Sequence, residues 1–263
     1  MPRVAGVAAL LVAALLVAGC GSGSPDATRP GGGSGSPGTA SGTTRGVVTV
    51  LAAASLSKPF TSLKDSYEAA HPGVTVRVGF GSSTTLAQQV AQGADADLVA
   101  TAGTAPLTLL GDVRPTEVTT IARNTLEIAT PPDDPAGVAR LTDLGRKDVQ
   151  VVVCAASVPC GKAAVEVLDR AGVTANVVSR ELDVSATLAK VTLGEADAAI
   201  VYHSDVVSAG RAVRGVEIPA AQNVTLTYPL ARFGEDRAAQ DFAAYVAGPQ
   251  GRAALGAAGF LAP

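Results

Sequence analysis

The amino-acid sequence predicts an α/β fold in which mostly parallel sheets are covered by helices. From residue 45 onward, short β-branched apolar runs alternate with segments whose apolar residues recur at helical spacing. This alternation is typical of chains in which each helix connects two parallel strands. Runs such as 149–154 and 198–202 are almost entirely apolar, which indicates strands buried on both faces of a sheet.

Two connections divide the predicted elements into two groups. One lies near 125–131 and leads into the proline-rich segment 131–135, and the other lies near 223–228. Proline lacks a backbone donor and stops a strand, so the first connection marks a crossover between compact parts. We therefore expect two lobes, the first made of residues 46–125 and 226–263 and the second of residues 126–225.

The expected elements follow one strand-then-helix scheme. After the first strand, apolar residues at positions 56, 60, 63 and 67 repeat with the period of a helix that buries one face. Gly172 ends another helix in the usual carboxyl-terminal way. In order, strands are expected at 47–54, 74–80, 96–101, 124–130, 149–154, 177–180, 198–202 and 225–231. Helices are expected at 56–67, 86–90, 105–110, 162–171, 185–193, 238–246 and 250–256.

The first 45 residues have the composition of a targeting segment and a linker. A basic start and an apolar stretch end at Cys20, which resembles the lipobox of bacterial lipoproteins and predicts a signal peptide at 1–20 with lipid attached to Cys20. An ordinary cleaved signal with an incidental cysteine is the alternative. Residues 21–45 are rich in Gly, Ser and Pro and predict a flexible tether. The folded body is thus expected to be extracytoplasmic and anchored to the cell membrane.

Composition argues against a nucleic-acid partner. The 263 residues carry a formal net charge of −3, and we find no cluster of Lys or Arg of the kind that binds a phosphate backbone. Hydrophobic residues make up 47% of the chain but aromatic residues only 3%, so the cores must be built mainly from Val, Leu and Ala.

Two hydroxyl-rich turns predict an anion site. Ser55 lies where the first strand gives way to a helix, a favoured helix N-cap position. The segment 81–85, Gly-Ser-Ser-Thr-Thr, lies at the corresponding point of the next strand–helix pair. Helix N-termini present free N–H groups and a positive dipole end, so the two turns together favour an anion bound without positive charge.

Cys154 and Cys160 lie six residues apart, and in an oxidising compartment a local disulfide is favoured. Free buried thiols, and metal or redox chemistry, are the alternatives. The spacing fits no zinc pattern, and His203 alone does not supply the missing ligands.

Six motifs occur in one order, and together they resemble the substrate-binding proteins of molybdate ABC importers. The resemblance covers about 215 residues and implies a type II periplasmic-binding fold with the ligand in the cleft between its lobes. It also implies that closure around the ligand is what an ABC permease senses. The motifs are Ala52–Leu56, Gly81–Ala87, Gly93–Leu98, Val158–Gly161, Ile200–Asp205 and Tyr228–Leu230.

The resemblance also implies a set of oxyanion ligands. Two serine hydroxyls, two backbone N–H groups of the second lobe and one tyrosine hydroxyl would hold the ion, which contains the metal only as molybdate, without direct metal ligation. Carried over by motif, these residues are Ser55, Ser83, Cys160, Val184 and Tyr202. Cys160 departs from the alanine common in the family, and His203 stands where a small residue is usual. No cofactor is implied, and a monomer is expected.

Neutral donors predict a preference among anions. Monohydrogen phosphate must donate its proton to an acceptor, and an unpaired polar group costs about 1–3 kcal/mol. Sulfate, molybdate and tungstate carry no such proton at neutral pH. The residues leave the choice between sulfate and the larger ions open, and only the resemblance favours molybdate, with tungstate as a second ligand.

Two other functions fit the sequence less well. A serine hydrolase could use Ser55 or Ser83 with His203, but the chain has only two histidines and no Gly-x-Ser-x-Gly elbow. A receptor for a small organic acid would call for an arginine to grip the carboxylate, and the four turns contain none.

Overall fold

The computed structural model describes residues 46–263, and these form one α/β body. The predicted signal peptide, the tether and the lipid-attachment residue Cys20 lie outside the described residues. The strands are Gly46–Ala53 (β1), Val74–Gly81 (β2), Leu98–Ala100 (β3), Glu117–Thr130 (β4), Val151–Cys154 (β5), Val177–Glu181 (β6), Ala198–Tyr202 (β7), Arg214–Glu217 (β8) and Thr225–Arg232 (β9). The α-helices are Ser57–Ala70 (α1), Ser83–Ala91 (α2), Pro159–Ala171 (α3), Val184–Thr192 (α4), His203–Ala209 (α5), Arg237–Ala247 (α6) and Pro249–Ala257 (α7).

The strands form a mixed sheet in the order β2-β1-β3-β9-β4-β7-β5-β6, with β8 also paired to β4. Pairing is parallel in the two flanks, β2-β1-β3 and β7-β5-β6. It is antiparallel wherever β9 or β4 takes part. The predicted α/β class is confirmed, but the centre of the sheet is more antiparallel than expected, because β9 is a late strand that runs back between β3 and β4.

The first strand and helix show why the hydrophobic pattern works. In β1, Val48, Val50 and Ala52 are fully buried. In α1, Phe60 and Leu63 are buried against the sheet at the predicted helical spacing. Each such side chain contributes about 1.5–3 kcal/mol on burial, so these apolar faces fix the way the helix lies on the sheet.

Two local expectations at helix starts are wrong. Ser55 is not a helix N-cap: it lies inside a 3₁₀ turn, Ala54–Leu56, and α1 begins only at Ser57 after Leu56. The segment 105–110 is likewise a 3₁₀ turn, and Thr104 forms no side-chain cap there.

The long strand β4 connects the two flanks of the sheet. Its first part pairs with β9 from Glu117 to Thr125, and its second part pairs with β7 and β8 from Leu126 onward. At the changeover, the Leu126 N–H donates to Asn223 Oδ1 at 3.0 Å, and Asn223 Nδ2 donates to the Leu126 carbonyl at 2.8 Å. The two chain crossings therefore lie side by side. The division into two lobes stays a prediction.

The described helices are short. None within residues 46–263 has the length and apolar character needed to cross a bilayer.

Candidate functional site

A cavity of about 20 Å³ lies at the carboxyl ends of the parallel strands. Loops from both flanks of the sheet line it, where α/β proteins commonly bind ligands. All five site residues predicted from the sequence are among its lining: Ala53, Ala54, Ser55, Gly81, Ser82, Ser83, Ala102, Val158, Pro159, Cys160, Asp183, Val184 and Tyr202. The structure thus brings together residues that are spread over 150 positions of the chain.

Ser55 is 5% exposed and follows β1. Its Oγ lies 3.0 Å from the hydroxyl oxygen of Tyr228, a fully buried residue of β9. Tyr228 in turn lies 3.4 Å from the Nδ2 atom of Asn124, whose same nitrogen donates to Ser204 Oγ at 2.8 Å. A buried chain of polar groups therefore runs behind Ser55.

Two serines begin α2. Ser83 is 2% exposed, and its Oγ accepts the backbone N–H of Ala102 at 2.9 Å. Ser82 is the N-cap residue, yet its side chain makes no capping bond to the helix. Among the described residues the Ser82 Oγ is buried without a hydrogen-bond partner, so a polar group is left unsatisfied in the cavity wall.

Cys160 is the second residue of α3 and is 4% exposed. Pro159 at the first position has no N–H, so the free backbone donors of this helix start at Cys160. A disulfide joins Cys160 to Cys154 at the end of β5, with Cα atoms 5.7 Å apart. A Cβ on Gly161 would lie 1.9 Å from the Ala155 carbonyl oxygen, so only glycine allows the loop to pass this close to the helix.

Val184 is the first residue of α4 and is 3% exposed. Asp183 caps this helix, because its Oδ1 accepts the Ala186 N–H at 2.9 Å. The cap fixes the turn, and the N–H groups at its start point along the helix axis away from the body of the helix.

Tyr202 ends β7 and is 2% exposed. Its hydroxyl forms no hydrogen bond within ordinary distance and angle limits in the described part of the chain. Burial raises the pKa of Tyr202 well above its ordinary value, with smaller contributions from Tyr228 and Asp205. The phenol is therefore neutral and keeps its proton to donate.

The lining is poor in charge. It contains no Lys, Arg or His, and its one ionisable carboxyl belongs to Asp183, which is engaged in the helix cap. Lys162 lines a neighbouring cleft that shares Ala102 and Pro159 with the cavity. His203 Nδ1 instead lies 2.6 Å from Glu127 Oε2 and takes no part in the cavity wall. No group of three or more potential metal ligands of the His, Cys, Asp or Glu type occurs within residues 46–263.

Sequence reasoning missed the polar groups that support the lining. Tyr228 belongs to one of the six motifs and Asn124 to a predicted strand, but neither is among the predicted site residues. Ala102 contributes a backbone N–H, which no residue pattern reveals. For Tyr228 and Asn124, the only signal in the sequence is a polar side chain within a run of residues that is otherwise apolar.

Comparison with known proteins assigns this chain to a family. Residues 48–261 match the family model described as bacterial extracellular solute-binding protein. A Mycobacterium tuberculosis protein named molybdate-binding protein ModA is 38% identical over 268 aligned residues, which cover 98% of each chain.

Solved structures agree with the fold. The substrate-binding domain of a molybdenum ABC transporter from Clostridium difficile, described as putative, is 26% identical, with a TM-score of 0.64 over 82% of this chain and 99% of that one. The periplasmic molybdate-binding protein of Azotobacter vinelandii, 19% identical, has a TM-score of 0.72 over 82% of this chain and 99% of that one. The chain belongs to the family of bacterial extracellular solute-binding proteins.

Proposed function

We propose that this protein binds molybdate, and tungstate as a second ligand, with neutral hydrogen-bond donors at the cavity described above. The observation that carries the proposal is a pair of buried hydroxyls, Ser82 Oγ and Tyr202 Oη, that line the cavity without partners. Buried polar groups are almost always hydrogen-bonded, so two orphans in one cavity indicate a polar ligand. The name of the mycobacterial relative makes molybdate the first ion to test.

Electrostatics supports an anion as the ligand. Three α-helices, α2, α3 and α4, begin at the cavity, and each contributes free N–H groups and the positive end of its dipole. Fixed neutral dipoles hold a dianion in place with little reorganisation when it binds. The absence of cations from the lining favours an ion whose charge is spread over several oxygen atoms, each accepting directed hydrogen bonds.

The roles of the five residues follow from their chemistry. Ser55, Ser83 and Tyr202 donate from hydroxyl groups, while Cys160 and Val184 donate through backbone N–H groups. The unpartnered hydroxyl of Ser82 is a further donor beside these five. The metal is then enclosed as an oxyanion and has no protein atom as a direct ligand. This account needs no resident cofactor.

The wider role we propose is transport. The protein delivers its oxyanion to an ABC permease, acts as a monomer and stays at the outer side of the cell membrane through lipid on Cys20. The two flanks of the sheet act as lobes that close on the ligand, and the permease recognises the closed form. Membership of an extracellular solute-binding family supports this assignment.

Binding accounts for these residues better than hydrolysis does. A serine nucleophile needs a base in hydrogen-bond reach. Ser55 contacts Tyr228, Ser83 contacts the Ala102 N–H, and His203 contacts Glu127. None of these partners is a base for a serine of the cavity.

Calorimetric titration with molybdate, tungstate, sulfate and phosphate tests the proposal. We expect heat with molybdate and tungstate, weaker binding of sulfate and the weakest binding of phosphate. Ser82→Ala should weaken molybdate binding. Ser208→Ala is the matched control, because its Oγ is also buried without a partner but lies outside this cavity. A folded sample that gives no heat with molybdate or tungstate would refute the proposal.

A further inference from the structure

We propose that Asn124 and Tyr228 are positioning residues that fix the Ser55 hydroxyl as a hydrogen-bond donor toward the cavity. The inference rests on the proposed oxyanion function and adds a cause for its selectivity. Asn124 and Tyr228 are fully buried and Ser55 is 5% exposed, so water does not compete for their hydrogen bonds. The direction of each bond can therefore be worked out from the groups themselves.

The side-chain amide of Asn124 determines which atom donates in each of these hydrogen bonds. The backbone N–H of Thr125 donates to Asn124 Oδ1 at 3.0 Å. A backbone N–H can only donate, so this bond identifies the oxygen of the amide and assigns the other atom as Nδ2. Nδ2 carries two hydrogens and no acceptor, and it faces Ser204 Oγ at 2.8 Å and Tyr228 Oη at 3.4 Å. Both of those oxygens therefore accept.

The direction then passes to Ser55. Tyr228 accepts from Asn124 and has one hydrogen left, which it donates to Ser55 Oγ at 3.0 Å. Burial raises the pKa of Tyr228, so the phenol keeps that hydrogen across the working pH range. Since Ser55 Oγ already accepts from Tyr228, its own hydrogen is free for a ligand in the cavity.

The Ser83 hydroxyl is also left with a free hydrogen, but a different group occupies its oxygen. Its Oγ accepts the Ala102 N–H at 2.9 Å, so its hydrogen is also left for the ligand. A backbone group sets the direction at Ser83, whereas two side chains set it at Ser55. Substitution can therefore change the direction at Ser55 alone and leave Ser83 as an internal reference.

The consequence is discrimination against protonated anions. A serine whose oxygen is occupied offers molybdate a donor but gives monohydrogen phosphate no oxygen to receive its proton. Loss of the Tyr228 hydroxyl frees Ser55 Oγ to accept. The free-energy cost of leaving the phosphate proton without an acceptor then falls. The Ser55 hydroxyl, no longer held by Tyr228, points toward molybdate in only one of several rotamers.

The test compares two affinities at pH 8, where phosphate is mainly the monohydrogen dianion. Molybdate and inorganic phosphate are titrated calorimetrically into the wild type, Tyr228→Phe and Asn124→Leu. In both variants we expect the molybdate Kd to rise about 3- to 10-fold while the phosphate Kd stays the same or falls, so that the ratio of the two Kd values narrows at least about threefold. Two variants are used because one of them can fail to fold. Tyr67→Phe is the matched control, since the Tyr67 hydroxyl is also buried but has no hydrogen-bond partner to lose and lies outside the cavity.

The outcomes separate this inference from the proposed function. Equal rises in both Kd values, or no change in either, would show that Tyr228 and Asn124 act only on structure and would overturn the inference alone. A wild-type protein that binds neither molybdate nor tungstate would overturn the proposed function and this inference with it.

Discussion

The backbone N–H of Tyr202 donates to Asp205 Oδ2 at 2.9 Å, and this carboxyl is buried at the start of α5. Burial raises the pKa of Asp205 to about 7; the Tyr202 N–H opposes the rise and the charge of Asp183 adds to it. Lys58 lines the same cleft as Asp205, and its Nζ donates to the Ser208 carbonyl. The turn that presents Tyr202 thus rests on a group that titrates near neutral pH.

Stability should therefore fall as the pH rises. The folded chain holds a proton on Asp205 up to about pH 7, whereas an unfolded aspartate loses it near 3.8. This contribution is complete below about pH 4 and is lost as the pH passes through 7. Asp205→Asn keeps an acceptor for the Tyr202 N–H without a charge, so it should raise the free energy of unfolding at pH 8 by up to about 4 kcal/mol. Urea unfolding at pH 5 and pH 8 checks this, and an identical pH dependence in both proteins would contradict it.

Loss of the disulfide should reduce both stability and affinity. A bond that closes so short a loop stabilises the fold by about 2 kcal/mol through the entropy of the unfolded chain. The same bond holds the start of α3, where Cys160 lines the cavity. We expect the double variant Cys154→Ala/Cys160→Ala to lose about this much stability and to bind molybdate a few-fold more weakly. Reductant should reproduce both effects in the wild type but leave the double variant unchanged.

Two glycine substitutions should have different effects: Gly161→Ala should weaken molybdate binding, and Gly256→Ala should stabilise the fold. A Cβ on Gly161 would lie 1.9 Å from the Ala155 carbonyl oxygen, so Gly161→Ala must displace the loop before α3 and should sharply weaken molybdate binding. Nothing lies within 4 Å of the same position on Gly256 in α7. Gly256→Ala should therefore raise the free energy of unfolding by about 0.5–1 kcal/mol. Thermal unfolding and calorimetry of both variants check this, and normal molybdate affinity in Gly161→Ala would be the contrary result.

The hydrogen bond between Thr84 and Ser157, beside the cavity, should slow ligand release. The Thr84 hydroxyl donates to the Ser157 carbonyl at 3.2 Å and joins α2 to the loop before α3. Thr84→Val keeps the volume of the side chain but removes this bond. Since one exposed hydrogen bond contributes about 0.5–1 kcal/mol, we expect molybdate to dissociate about two- to fivefold faster with little change in association. Stopped-flow kinetics measures both rates. Thr85→Val, at the exposed neighbouring position, is the control, and equal effects of the two substitutions would contradict the prediction.

Local pattern was enough to find most of the helices and strands. Apolar runs rich in Val, such as β1 and β5, became strands because β-branched side chains pack well on the pleated surface of a buried sheet. The five predicted ligand residues converge because each lies where a strand gives way to the segment after it, and in a parallel arrangement these points share one edge. These five residues were identified by the resemblance, and their roles as ligands stay a prediction.

Features that depend on distant pairing could not be predicted in this way. Ser55 meets Tyr228 across 173 positions, and no local pattern encodes such a contact. The insertion of β9 between β3 and β4, which makes the centre antiparallel, depends on the whole sheet. The early start of β4 was missed because Glu117 and Val118 are exposed and give no apolar signal there.

The position of β9 has a consequence for synthesis. β3 and β4 face each other only through β9, which ends at Arg232, and Leu261 near the carboxyl terminus closes a further bridge to Arg123. A nascent chain shorter than about this length exposes two unpaired edges and has no complete sheet. The complete sheet can therefore assemble only after β9 has been synthesised.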